Sequence, residues 1–136
     1  MKKIFGASFL LAAMFAGSLF WGAVPAVAEE GAGGATVIAY YFHGTFRCPT
    51  CNKMEKYASE VIQNDFKDAL ASGKLEFRSV NVESKENEHF VNDYQLYTKA
   101  LILSLVKDGK EVRSKNLDKI WEYVRKKDRY EKLCTG

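Results

Sequence analysis

Cysteine, proline and surplus charge are all scarce in this chain of 136 residues, and each shortage excludes something. Three cysteines are too few for a small scaffold stapled by disulfides. Two prolines, Pro25 and Pro49, exclude a collagen-like repeat. Lys and Arg number 20 against 17 Asp and Glu, a formal charge of +3 that falls to about +1 once Lys2 and Lys3 are set aside with the leader described below. A near-neutral chain offers no electrostatic footprint for nucleic acid. A hydrophobic fraction of 47% with 27% charged residues excludes both a disordered chain and a polytopic membrane protein.

The apolar residues that are present are unevenly placed. Twenty of the first 28 residues are apolar, and the remainder averages about 41%, ordinary for one small globular domain. Met1-Lys2-Lys3 forms a positive start, Ile4 to Val24 is uncharged and apolar, and Ala26-Val27-Ala28 presents small residues after Pro25. This pattern predicts a secretory signal peptide over residues 1–28, cleaved after Ala28, with no stable membrane span left afterwards. An uncleaved single-span anchor is the alternative. Either way the remaining domain is expected outside the cytoplasm, periplasmic or extracytoplasmic, where disulfides persist. Residues 29–35 read as a short flexible Gly/Ala-rich tether, and residues 36–136 as one domain.

Thr36-Val37-Ile38-Ala39-Tyr40-Tyr41-Phe42 is β-branched and aromatic without polar alternation, which suits a strand covered on both faces. Met54, Tyr57, Ala58, Val61, Ile62, Phe66, Ala69 and Leu70 recur at helical spacing, and Gly73 stops the run. Lys74 to Glu83 predicts a second strand with an irregularity where its apolar parity changes. Ser84 is a candidate N-cap for a short helix bearing Phe90, Val91 and Tyr94. Leu101 to Val106 predicts a third strand, and Lys107-Asp108-Gly109-Lys110 a two-residue hairpin into Glu111 to Lys115. Leu117, Ile120, Trp121, Val124 and Leu133 predict one closing helix. The expected fold is α/β, a mixed four-stranded sheet flanked by helices in the order β-α-β-α-β-β-α.

Cys48-Pro49-Thr50-Cys51 falls where the first strand's loop meets the long helix. A helix start presents unpaired amide hydrogens and partial positive charge, which stabilise a thiolate. Pro49 suits an early helical position that needs no amide donor. Cys48, nearer the loop, is then the attacking thiol and Cys51, inside the helix, the resolving thiol, with Arg47 adding positive charge. A structural disulfide of the same pair and a metal site are the competing readings. Two cysteines supply half of a tetrahedral zinc site, and neither a second CxxC nor paired histidines follow.

With these residues the chain resembles the thioredoxin superfamily over Thr36 to Leu133, through the strand before Cys48-Pro49-Thr50-Cys51, the segment Ser79-Val80-Asn81-Val82-Glu83 and the Lys107–Lys110 hairpin. Its length resembles the glutaredoxin-sized core. The stretch Tyr41 to Cys51 is more narrowly similar to a small exported group, the ArsF-type subunits of a nitrophenyl-compound nitroreductase. The resemblance implies a thioredoxin-like fold and thiol–disulfide exchange with protein thiols, protein disulfides or a redox partner subunit. It implies no cofactor and no metal beyond the redox-active Cys48–Cys51 pair. Phe46, Arg47, Pro49 and Thr50, with Lys99 and Ala100 opposite, are the positions expected to meet a partner.

Several family features are missing. Thioredoxins place a cis-proline at the start of the third strand, shaping the substrate groove, where this chain has Thr98-Lys99-Ala100-Leu101. In the family that proline also discourages metal binding, so its absence keeps open a binding or electron-passing module whose dithiol holds a thiophilic metal or metalloid. The family's buried acid matches Phe42 and its partnering lysine matches Ser79, so the proton relay does not carry over, and glutaredoxin's glutathione-binding threonine-valine-proline is absent.

His43, five residues before Cys48, is a candidate proton acceptor for Cys51 or else a solvated loop histidine. Phe46 is either an apolar lip for a partner or a packing residue. His89 and the run Arg125-Lys126-Lys127-Asp128-Arg129 read as solvated helix surface. Cys134 is the odd thiol. A straight closing helix of about sixteen residues places it roughly 24 Å from the motif, against the Cα spacing of about 5.5 Å that a disulfide to Cys48 needs. It is expected to be free or to pair with another molecule.

Overall fold

The computed structural model describes residues 34–136. The leader expected over residues 1–28, its cleavage site and the tether up to residue 33 lie outside the described residues. Among the described residues no helix is long and apolar enough to cross a membrane.

Strand β1, Thr36–His43, is buried without interruption from Ile38 to Phe42. Its side chains alternate between two cores. Tyr41 packs with Met54, Ala58, Leu101, Ile120 and Tyr130 on one face, while Ile38, Tyr40 and Phe42 pack with Ala100 and Ile102 on the other. Met54, Leu101 and Ile120 are at most 1% exposed, and each such burial contributes about 1.5–3 kcal/mol. The strand reads as uninterrupted apolar because both of its faces are covered.

Helix α1, Pro49–Asp65, buries Cys51, Met54, Ala58, Val61 and Ile62 along one stripe. Its apolar spacing continues through Leu70, but the helix does not. Phe66 adopts φ −121° and ψ 23°, and a separate short helix α2, Lys67–Ala71, follows before Gly73 turns the chain at φ +70°. Strand β2, Leu75–Asn81, pairs parallel with β1 from Val37↔Leu75 to His43↔Asn81 without a break. The irregularity expected in this strand is absent. Phe77 packs on the core around Tyr41, and Val80 and Val82 pack on the core around Tyr40. The apolar residues change face part-way along a regular strand, with Ser79 at the change, so the parity shift requires no bulge.

A single 3₁₀ turn, Lys85–Asn87, follows Ser84, whose side chain makes no capping bond. The expected Ser84 cap is therefore replaced by a backbone contact in which Asn87 N–H donates to the Ser84 carbonyl at 2.8 Å. Helix α3, His89–Asp93, carries Phe90, which meets Tyr40 at 5.5 Å and Phe42 at 5.1 Å between ring centroids.

Strands β3, Ala100–Lys107, and β4, Lys110–Asn116, close a sheet of order β2-β1-β3-β4 in which β3 is antiparallel to both neighbours. Asp108 and Gly109 both have positive φ, 52° and 74°, the geometry of a tight two-residue hairpin. The sheet's one register shift lies between Leu105 and Val106, opposite β4. The architecture is α/β, a mixed four-stranded sheet flanked by helices.

The closing segment is two helices where the spacing predicts one: α4, Ile120–Tyr123, and α5, Lys127–Thr135. Lys126, at φ −128° and ψ 86°, interrupts them. Leu117, Ile120 and Val124 are buried as expected, but Trp121 is 40% exposed and leaves the stripe. Tyr130 is the anchor that the apolar pattern hides: it is fully buried, and its hydroxyl donates to the Met54 carbonyl at 2.8 Å. Beyond the break at Lys126, α5 lies against α1, where Tyr130 reaches Met54.

Candidate functional site

Cys48 is the N-cap of α1, with extended backbone at φ −75° and ψ 158°. Pro49 occupies the first helical position, where a missing N–H costs nothing. The Cys48 Sγ accepts the Cys51 N–H at 3.2 Å, so a sulfur takes the place that a serine or aspartate oxygen fills at other helix starts. No acidic residue lies in the first turn to neutralise its partial positive charge. The two cysteines form a disulfide with Cα atoms 5.1 Å apart. Cys48 is partly exposed, Pro49 and Thr50 are exposed, and Cys51 is fully buried. One sulfur can thus meet a visitor while the other is shielded behind it.

Beneath the pair, the Tyr41 hydroxyl donates to the Cys51 carbonyl at 2.7 Å. Burial raises this phenol from its ordinary 10.0 to about 12, against an opposing pull from the Arg47 charge. Tyr41 therefore remains a hydrogen-bond donor throughout the neutral range. Sequence reasoning placed it in the strand and missed this contact; a tyrosine at a buried strand position, whose hydroxyl must find an acceptor, was the available signal.

Arg47 turns back toward two partners. It forms an ion pair with Glu55 on α1, and its Nη1 lies 3.4 Å from His43 Nε2. His43 Nδ1 donates to the Gly44 carbonyl at 2.8 Å, which leaves Nε2 as the acceptor facing Arg47. In the oxidised pair, then, the hydrogen bonds of the His43 ring run to the loop. The Arg47 charge beside Cys48 is shared with Glu55, a residue that the motif alone does not reveal.

The loop between β1 and α1 is held from outside by Glu83. Its carboxylate accepts the Thr45 N–H at 2.9 Å, and this bond holds its pKa below the ordinary carboxylate value. Asn81 also donates to the Thr45 hydroxyl at 3.1 Å. Gly44 leaves room for this clasp, because a Cβ there would lie 2.5 Å from the Glu83 Oε1 and the carboxylate would have to move away.

Phe46 is 78% exposed at the tip of the same loop, so it has no packing role among the described residues. Across the sheet end, Ala100 pairs with Phe42 in β3, and Lys99 precedes it. His43, Gly44, Glu83 and Lys99 line one shallow polar depression of about 190 Å³. Thr50 lines another with Lys53, Trp121 and Arg125. Among the described residues, no three His, Cys, Asp or Glu side chains converge as a metal-binding group.

Cys134 is a free thiol on α5. It lines an apolar cavity of about 330 Å³ together with Val37, Leu75 and Leu103. Val37 stands near the start of β1, whereas His43 and the loop to Cys48 stand at its end. Cys134 thus occupies the opposite end of the sheet from the disulfide, although the path expected for the closing helix differs. Burial and the nearby Glu131 charge push its thiol up to about 11.

No protein-family model and no curated protein matches the chain. Among solved structures it is similar to a thioredoxin from Fasciola hepatica, at 22% identity and a TM-score of 0.40, over 66% of this chain and 79% of that one. It is also similar to a thioredoxin from Thermus thermophilus, at 18% identity and a TM-score of 0.40, over 74% and 80% of the two chains. A third likeness is to a malarial protein, at 18% identity and a TM-score of 0.39, over 59% and 79%.

Proposed function

We propose that the chain is an exported thiol–disulfide oxidoreductase of thioredoxin-like architecture. The observation that carries this reading is a disulfide capping a 17-residue helix, with its outer sulfur partly exposed and its inner sulfur buried. In the reduced form the Cys48 thiolate attacks one sulfur of a partner disulfide. A mixed disulfide forms, and the other partner sulfur leaves as a thiolate and takes up a proton. Cys51 loses its proton and attacks the Cys48 sulfur, which closes the internal disulfide and releases the second partner thiolate. Two electrons pass from the protein to the partner, whose two thiolates are protonated by the proton Cys51 gives up and by one from solvent, and the reverse sequence oxidises a partner dithiol. Phe46, Arg47, Pro49, Thr50 and Lys99 are the residues proposed to meet the partner, whereas Ala100, also expected there, is buried in the core around Tyr40; no further cofactor takes part.

Export is read from the leader pattern over residues 1–28. Membership of the ArsF-type group, with a role as the small redox subunit of a nitrophenyl-compound reductase, is carried by the likeness of Tyr41 to Cys51 alone. One experiment addresses the reaction and the partner together. Replacing Cys51→Ala removes the resolving thiol and should trap a covalent adduct on Cys48, releasable by dithiothreitol. A variant that traps no protein under oxidising conditions, while Cys48 remains free, contradicts the mechanism.

A further inference from the structure

The segment before β3 lacks the proline that shapes this place in the family the chain resembles, yet something must fix it. Gln95 turns the chain at φ 51°, Tyr97 is 94% exposed, and Tyr97 to Lys99 belong to no helix or strand. A solvated stretch of this kind samples many conformations unless it is tied down. The tie comes from α4: the Trp121 indole N–H donates to the Lys99 carbonyl at 3.1 Å. Helix α4 is itself secured, since Ile120 and Val124 are buried on either side of Trp121 and Leu117 N–H donates to the Leu101 carbonyl at 2.9 Å. The indole also forms a wall shared by two depressions. One is lined by Tyr97, Thr98 and Lys99, and the other by Thr50, which lies between the two cysteines, and Lys53.

We infer that Trp121 is a positioning residue of the dithiol site. It holds the Tyr97–Lys99 segment in place beside Thr50, so that an extended protein partner meets a preformed edge when its sulfur reaches Cys48. This inference rests on the oxidoreductase reading for its functional half. Small disulfides, which need no edge, should be indifferent to it.

Trp121→Phe keeps an aromatic ring and removes the donor. The isosteric replacement of the indole by benzothienylalanine removes the N–H with the shape retained, which covers the case of a phenylalanine variant that folds poorly. For dithiothreitol-driven reduction of insulin, the KM is expected to rise about fivefold with kcat unchanged, the loss of one ordinary hydrogen bond. The rate with an aromatic small disulfide is expected to stay at the wild-type value. An unchanged insulin KM, or equal losses with both probes, overturns the inference. Backbone order parameters of Tyr97, Thr98 and Lys99 from NMR relaxation read the positioning without turnover. Lower order there in the variant, with α1 unaffected, supports it, and unchanged order overturns it. If wild-type protein turns over neither probe, the oxidoreductase reading falls and the order parameters alone decide whether Trp121 positions the segment.

Discussion

The Tyr41 hydroxyl and the Cys51 carbonyl are joined by a buried hydrogen bond of 2.7 Å, which ties the central strand to the first turn of the helix that carries the disulfide. The bond spans ten residues and closes the loop containing Cys48. It fixes the helix start relative to the strand end, which is the spatial relationship that the proposed chemistry needs.

Tyr41→Phe should therefore cost about 1 kcal/mol in urea unfolding, the usual net value of such a bond. Its alkaline behaviour carries a sign. The folded phenol titrates near 12, above its ordinary 10.0, so the unfolded chain loses its proton first. The contribution is complete below pH 10 and is lost as pH rises toward 12. Tyr94, also raised to about 12 by burial and by its bond to Glu111, acts in the same direction. Stability measured from pH 9 to 12 should fall less steeply in Tyr41→Phe than in the wild type.

Glu83 and Gly44 make a second prediction. Glu83→Gln keeps the shape and removes the charge that strengthens the bond from Thr45 N–H. The Thr45 amide should exchange faster in this variant near neutral pH. Because the folded carboxyl titrates below its ordinary value of 4.5, the wild-type contribution is present above that value and is lost as pH falls through the lower, folded value. Gly44→Ala should mimic Glu83→Gln at the Thr45 amide, since the added methyl displaces the carboxylate.

Glu55 is expected to restrain Arg47. With the ion pair intact, the guanidinium divides its field between Glu55 and its surroundings. Glu55→Gln should raise the alkylation rate of reduced Cys48 about two- to threefold at low ionic strength, and about 0.15 M salt should suppress most of the gain. A rate that is insensitive both to the substitution and to salt would remove Arg47 from the electrostatics of the site.

Much of this arrangement is legible in the sequence because it rests on local rules. Ile38 to Phe42 reads as a strand with two covered faces, Asp108-Gly109 as a hairpin, and Cys48-Pro49-Thr50-Cys51 as a helix start, each from neighbouring residues. The tertiary decisions are not legible. Phe66 keeps helical spacing although the backbone turns there, and Lys126 breaks a run that has the composition of a helix. Tyr41, Tyr130 and Trp121 look like apolar bulk in a linear pattern, whereas their polar tips reach carbonyls on other elements. Glu55 looks like an ordinary solvated helix residue until the fold brings Arg47 against it. Periodicity reports which face of an element is covered, but not which distant acceptor a buried polar tip will find.

The most direct test is the reactivity of the three thiols in the reduced domain, mapped by mass spectrometry after brief alkylation with iodoacetamide at pH 7. The account predicts that Cys48 reacts at least about tenfold faster than an unstructured cysteine, because the helix start and the unneutralised first turn favour its thiolate. Cys51 and Cys134 should remain unlabelled until the chain is unfolded, Cys51 because it is buried and Cys134 because burial holds its thiol near 11. Equal labelling of Cys48 and Cys51, or a Cys48 no faster than a free thiol, would contradict the account.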